Sequence, residues 1–359
     1  MDRPDSVRID ATGLHEFTEL LLRSAGLSEG AAAGATDVLV RTTLRGVESH
    51  GIHALPQYLR QLRDGGANPA AAVRPLSDRG SIVLLDGDGG LGPAVAHEAT
   101  LRGIERARAT GVAVVPVRNA NHFGAAGHFA LMCAEAQCIG MVMSNTPPIM
   151  AATGARTRSI GNSPIGFGAP RLEGPPVVLD IAMSKVAGGK VRLALQNEHD
   201  VPVGWILDPE GRPTTNPADF FVHRGALLPM EGHKGYGLAL MVETLAGALS
   251  GAAMLGSVGN WLYDSASPSG TGYFLLVLDT SAGSAFADTS ARVGELCAAI
   301  VGSPRAPGVD RILIPGELEH EREQSAVRDG VAISGKHWQA LTTLAHEAGL
   351  VAQLPTPDP

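Results

Sequence analysis

The 359-residue chain carries 28 Lys and Arg against 36 Asp and Glu, a formal net charge of −8, and 44% of its residues are hydrophobic. Such a chain can bury a sizeable core over about two domains, and its 45 Gly and 24 Pro stay below the ~25% at which composition alone argues disorder. The acidic balance lacks the basic footprint needed to hold a polyanionic backbone, so nucleic acid is excluded as a partner.

Three cysteines, Cys133, Cys138 and Cys297, are too few and odd in number for a disulfide framework, and none forms a C-x-x-C pair. A cytoplasmic location is the expectation. The polar start, Met1-Asp2-Arg3-Pro4, and an apolar region after Gly235 that Glu243 and several glycines interrupt carry no signal for export or membrane insertion.

In chain order, apolar residues at helical spacing from Leu14 to Leu22 predict a helix, and Ser28 before Glu29 caps a second one through Leu39. A third helix, Leu55 to Leu62, runs into Gly65-Gly66, and Pro69 and Pro75 read as an extended linker, which places a boundary near residue 75. Beyond it, strand Ser81–Leu85, helix Pro93–Ala109, strand Gly111–Val117, helix Ala125–Ala136 and strand Gly140–Ser144 follow βαβ-like grammar. Strand Val177–Leu179, helix Ser184–Leu195, helix Gly235–Gly247, strand Tyr273–Leu278 and helix Trp338–Gly349 complete the pattern of a layered α/β body. Residues 1–75 are read as an N-terminal helical region that packs with 330–359, and residues 76–329 as the α/β body.

Gly87-Asp88-Gly89-Gly90-Leu91-Gly92 is a literal G-x-G-x-x-G between a strand and a helix. The next strand ends at Val117-Arg118 with no acid placed for a ribose hydroxyl, so a tight structural turn is the better reading than a dinucleotide fingerprint. His122 follows a strand and precedes a helix, where α/β proteins place ligands, and His50 abuts the flexible Gly51. His50-x-x-His53 and the pair His122 and His128 offer nitrogen ligands but no third partner at a suitable spacing, so no metal is expected. Asp180 at the end of an apolar run suits a ribose, an imidazole or a helix N-cap. Lys234, flanked by glycines at the start of an apolar helix, suits an anionic substrate.

Five segments in register carry a resemblance: Arg45-Gly46-Val47-Glu48-Ser49-His50-Gly51, Arg118-Asn119-Ala120-Asn121-His122-Phe123-Gly124-Ala125-Ala126-Gly127, Ser144-Asn145-Thr146, Pro213-Thr214-Thr215-Asn216-Pro217 and Lys234-Gly235-Tyr236-Gly237-Leu238. From about Leu44 to Glu317 the chain resembles the non-Rossmann malate/L-lactate dehydrogenase family, whose relatives include sulfolactate dehydrogenase, ureidoglycolate dehydrogenase, diketogulonate reductase and the Δ1-piperideine-2-carboxylate reductases. The resemblance implies a sulfolactate-dehydrogenase-like α/β fold, a homodimer, and hydride transfer between NAD or NADP and a small anionic 2-oxo or 2-hydroxy acid. It also implies roles. His122 matches the proton donor and acceptor, assisted by His50 and Lys234, while Ser49 and Tyr58 match positions lining the substrate pocket. Asp180, Ile181 and Ala182 match one cofactor-binding stretch, and Gly316, Glu317 and Leu318 match a second.

Two departures stand out. Members of the family commonly carry an arginine four residues after the Ser-His-Gly histidine, for a bidentate grip on the substrate carboxylate, whereas this chain has Ala54. His53 or Lys234 would then substitute, or the substrate is not a simple 2-oxo acid. The second departure is Met183, which replaces a threonine beside the first cofactor stretch. A cyclic-imine reductase is therefore the first alternative, and a non-redox enzyme or binding protein on the same scaffold the second. A serine hydrolase using Ser49 fares worse, because Ser49 does not lie in a G-x-S-x-G and the adjacent His50 need not reach its neighbour's hydroxyl.

Overall fold

Asp10 accepts a hydrogen bond from the Gly13 amide at 2.8 Å and so begins the first helix. The computed structural model describes residues 6–282 and 286–357. Strand β1 (Ser6–Ile9) leads into α1 (Ala11–Ser24), and Ser28 caps α2 (Glu29–Leu44). Two short 3-10 turns, Glu48–His50 and Ile52–Ala54, precede α3 (Leu55–Asp64), which has Pro56 in its first turn and stops at Gly65 in the left-handed region.

The segment expected as a linker is strand β2 (Arg74–Arg79), followed by β3 (Ile82–Asp86), α4 (Gly92–Thr110), β4 (Val112–Ala120), α5 (Ala126–Glu135), β5 (Cys138–Ser144), β6 (Pro164–Ala169) and β7 (Val177–Ala182). Then come α6 (Gly188–Gln196), a small sheet of β8 (Ile206–Leu207), β9 (Pro213–Thr214) and β10 (Ala226–Leu227) with α7 (Pro217–Phe221) between the last two, and α8 (His233–Val242). The expected helix to Gly247 changes character after α8: residues Glu243–Leu249 widen into a π-helix. The chain closes with β11 (Thr271–Asp279), α9 (Phe286–Val301), α10 (Glu317–Asp329), β12 (Val331–Ser334) and α11 (Gly335–Ala348).

The main sheet has the order β2-β3-β4-β11-β5-β6-β7. Only β3 and β4 are parallel, joined through α4. Strand β11 inserts between β4 and β5 and runs antiparallel to both, so the repeated βαβ pattern gives way to a mixed sheet. Nothing local in the sequence marks that insertion, because the pairing joins residues as far apart in the chain as Leu278 and Val112. Asp180 likewise neither ends its strand nor caps a helix: β7 continues to Ala182 in register with β6, Asp180 opposite Gly166, and α6 starts only at Gly188.

Three large apolar clusters among the described residues hold these layers. One joins α1, α2 and α3 to the C-terminal elements through Ile9, Phe17, Leu39, Tyr58, Ile333 and Leu341, with β1 paired antiparallel to β12. A second fills the space between α4, α5 and the sheet through Ala99, Val117, Phe129 and Tyr273. The third, around Met150, Ile160, Met183 and Val242, covers the other face. No helix among the described residues is long and apolar enough to cross a membrane.

Candidate active site

The glycine-rich turn spends its amides on the protein itself. Gly87 N donates to Arg118 O at 2.9 Å, Gly89 N to Asn119 O at 2.8 Å, and Gly90 N to Gly87 O at 2.9 Å. It is a structural turn rather than a phosphate cradle, and its purpose is legible at Gly92, where a Cβ would fall 1.9 Å from the carbonyl oxygen of His122. The turn lets α4 press against the backbone of the histidine.

Asn121 locks the same backbone from within. Fully buried, it donates through Nδ2 to Gly89 O and Gly90 O at 2.9 Å and to Gly66 O at 3.3 Å. Its Oδ1 accepts from Gln61 Nε2 at 3.0 Å and from Ser269 N at 2.8 Å, and its backbone carbonyl accepts from the Tyr273 hydroxyl. One side chain thus ties α3, the glycine turn, the end of β4 and the loop before β11 into a rigid seat.

On that seat, His122 Nδ1 lies 2.7 Å from Tyr58 Oη. The His50 ring lies 5.6 Å from the His122 ring, tilted by 31°. Ser49 Oγ reaches His50 Nδ1 at 2.8 Å, so the adjacent pair, which sequence adjacency alone did not require to bond, does so here. This loop is pinned to α2 by the bond from Ile52 N to Thr43 Oγ1 at 2.7 Å, and Gly51 is needed there because a Cβ would meet that same oxygen at 2.2 Å. Trp261, from the loop before β11, lies nearly parallel to both His122 and Tyr58, with ring centroids 4.4 and 4.8 Å away. Gln57 Nε2 holds its carbonyl at 2.5 Å.

His50 and His122 are deeply surrounded by protein, yet part of each residue is reached by solvent. Loss of hydration pushes both imidazoles below their usual range, His122 strongly and with a further contribution from His50. Two neutral imidazoles therefore face each other near neutral pH. Burial pushes the Tyr58 phenol far up, so it stays protonated.

A second group assembles along β7, at the edge of the sheet. Asp180 Oδ2 accepts from Gly127 N, in the first turn of α5, at 2.9 Å. Although protein encloses most of its surroundings, the residue remains open to solvent. Enclosure raises its carboxyl to about 6, opposed by the Gly127 bond and reinforced by Glu319. Val178 N donates to Pro315 O at 2.9 Å, and Gly316 packs so closely on Val178 that a Cβ would lie 2.9 Å from it. The two stretches Asp180-Ile181-Ala182 and Gly316-Glu317-Leu318, far apart in sequence, are neighbours. Glu323 anchors α10 to α2 through Arg41 and Arg45, each at 2.7 Å.

The fold therefore brings Ser49, His50, Tyr58 and His122 together. It does not bring His53 to them: that ring stacks on His337 of α11, centroids 3.5 Å apart and planes 9° apart. Lys234 stands exposed at the start of α8 beside Glu231, and Gly235 next to it packs on Met183 O, so the lysine adjoins the β7 stretch. Ala54 is buried in the apolar cluster with Leu55 and Tyr58. Sequence reasoning missed Trp261, Asn121 and Gly92 as parts of the site; the available signals were a tryptophan in the loop before β11, an asparagine directly before His122, and a glycine of the G-x-G-x-x-G turn that nears His122 only in space.

Comparison with known proteins bears on this constellation. The malate/L-lactate dehydrogenase family model matches residues 9–342. The chain is 35% identical over 351 residues to a malate dehydrogenase from Pyrococcus horikoshii, covering 96% of each chain, and 35% identical over 333 residues to L-sulfolactate dehydrogenase from Methanocaldococcus jannaschii, covering 92% of this chain and 94% of the other. The solved structure of malate dehydrogenase from Pyrococcus horikoshii superposes with a TM-score of 0.89 at 33% identity over 98% of both chains. That of Δ1-piperideine-2-carboxylate reductase from Pseudomonas syringae gives 0.84 at 28% identity, over 94% of this chain and 99% of that one.

Proposed function

Because the chain belongs to the malate/L-lactate dehydrogenase family, we propose that this enzyme is an NAD- or NADP-dependent oxidoreductase that interconverts a small anionic 2-oxo acid and the corresponding 2-hydroxy acid. The observation that carries this reading is the Tyr58–His122 hydrogen bond beside His50, with both histidines partly reached by solvent. A bound nicotinamide supplies or accepts the hydride at the substrate carbon.

The residues along β7 fit such a cofactor. The accessible Asp180 carboxylate is an acceptor for ribose hydroxyls, and Ile181, Ala182 and Gly316–Leu318 flank it. His122 handles the proton at the substrate oxygen, where charge develops as the carbonyl is reduced. His50, held by Ser49, presents its other ring nitrogen as a polar contact for the substrate. Lys234, on the β7 side, contributes positive charge toward anionic groups.

A second reading is favoured by Ala54. Buried among apolar side chains, it offers no guanidinium fork for a carboxylate, which suits a cyclic imine whose ring occupies that corner. The exposed apolar side chains of α8 and beyond, Leu240, Met241, Leu249, Met254 and Leu255, support a homodimer. The three free cysteines, all buried, support a cytoplasmic setting.

The test is a fluorescence titration with NADH and with NADPH, then turnover on 2-oxo acids and cyclic imines. Saturable binding of one nucleotide and loss of turnover by about 10²-fold in His122→Asn are expected. Absence of binding to both nucleotides would overturn the reading.

A further inference from the structure

Tyr58 Oη lies 2.7 Å from His122 Nδ1, and among the described residues it has no other hydrogen-bond partner. A buried hydroxyl hydrogen without an acceptor is costly. If His122 carried its proton on Nδ1, the phenol would accept that bond and its own hydrogen would be left over in a fully buried setting. If Nδ1 is bare, the phenol donates and both groups are satisfied. The indole of Trp261 lies over both rings and keeps water from serving as the missing acceptor on that face.

We propose that Tyr58 is a positioning residue that fixes the resting tautomer of His122, with the proton on Nε2 and Nδ1 accepting from the phenol. The assignment draws on the oxidoreductase reading for its consequence, though not for its geometry. An Nε2–H is a hydrogen-bond donor, so the free enzyme is arranged to receive a carbonyl oxygen, the oxidised form of the substrate. A 2-hydroxy acid, whose hydroxyl must surrender a proton, meets an N–H instead. It is served only after the ring proton changes nitrogen and the Tyr58 hydroxyl turns to accept. The strongly lowered basicity of His122 keeps the ring neutral near neutral pH, which is the condition under which a tautomer is defined at all.

The experiment is a long-range proton–nitrogen correlation spectrum of the ligand-free protein with isotope-labelled histidine, near neutral pH. The chain has 12 histidines, and the His122 signals are identified by their loss in His122→Asn. The expected result is an unprotonated Nδ1 and a protonated Nε2, with the preference weakened to a mixture in Tyr58→Phe. A His122 protonated on Nδ1, or a spectrum unchanged by Tyr58→Phe, would overturn the assignment. The wild-type spectrum decides even if the variant does not fold. In turnover, Tyr58→Phe is expected to lower kcat for carbonyl reduction about tenfold with KM nearly unchanged. A protein that binds no nicotinamide but shows the Nε2–H form would refute the oxidoreductase reading while leaving the tautomer assignment standing.

Discussion

Trp261 lies on His122 with ring centroids 4.4 Å apart and planes inclined by 13°. The indole covers the imidazole and the Tyr58 ring together, which excludes water from one face of their hydrogen bond and contributes to the depressed basicity of His122. Trp261→Ala should readmit water and move the acidic limb of the pH–rate profile upward, with turnover reduced about tenfold. An unshifted profile would show that the indole does not shield the pair.

Asn121 satisfies Gly66, Gly89, Gly90, Gln61 and Ser269 at once. Asn121→Ala strands several of those buried groups and should cost about 2–4 kcal/mol in denaturant unfolding. A loss under about 1 kcal/mol would mean that the surrounding loops find other partners.

The histidine pair sets a pH dependence of stability. Both folded-state values lie below the ordinary 6.5, so the unfolded chain takes up protons first as pH falls. Stability is complete above about pH 6.5 and declines below it until the folded values are reached. Unfolding midpoints across that window should fall less steeply in His122→Asn than in the parent.

Asp180 has the opposite sign. Its folded value is raised to about 6 from 3.8, so the folded state holds the proton more tightly and the strain of the ionised carboxylate appears as pH rises through that range. Asp180→Asn should match the parent in acid, gain relative stability above about pH 6, and bind reduced nicotinamide about tenfold more weakly in the fluorescence titration. Unchanged nucleotide affinity would remove Asp180 from the cofactor site.

Glu323 neutralises the buried Arg45 as well as Arg41. Glu323→Ala leaves Arg45 unpaired and should cost about 2–4 kcal/mol. Because α10 begins at Glu317, beside β7, the same variant should also weaken nucleotide binding. A loss confined to stability would uncouple the ion pairs from the cofactor stretch.

What the sequence determined by itself is local. The Ser28 cap, the apolar spacing of α1, and the strand–histidine–helix order around His122 depend on neighbours within a turn or two, and such signals are written in short stretches of chain. The motifs at Ser49-His50 and His122 were legible in that way. Tertiary structure decided the rest. It inserted β11 between β4 and β5, carried β7 past Asp180, set Gly316 against Val178, sent His53 to His337 rather than to His122, and laid Trp261 over the Tyr58–His122 bond. Each of these contacts joins residues far apart in the chain, where no periodicity relates one partner to the other. Only packing of the whole core selects among the many such closures that the same local elements allow.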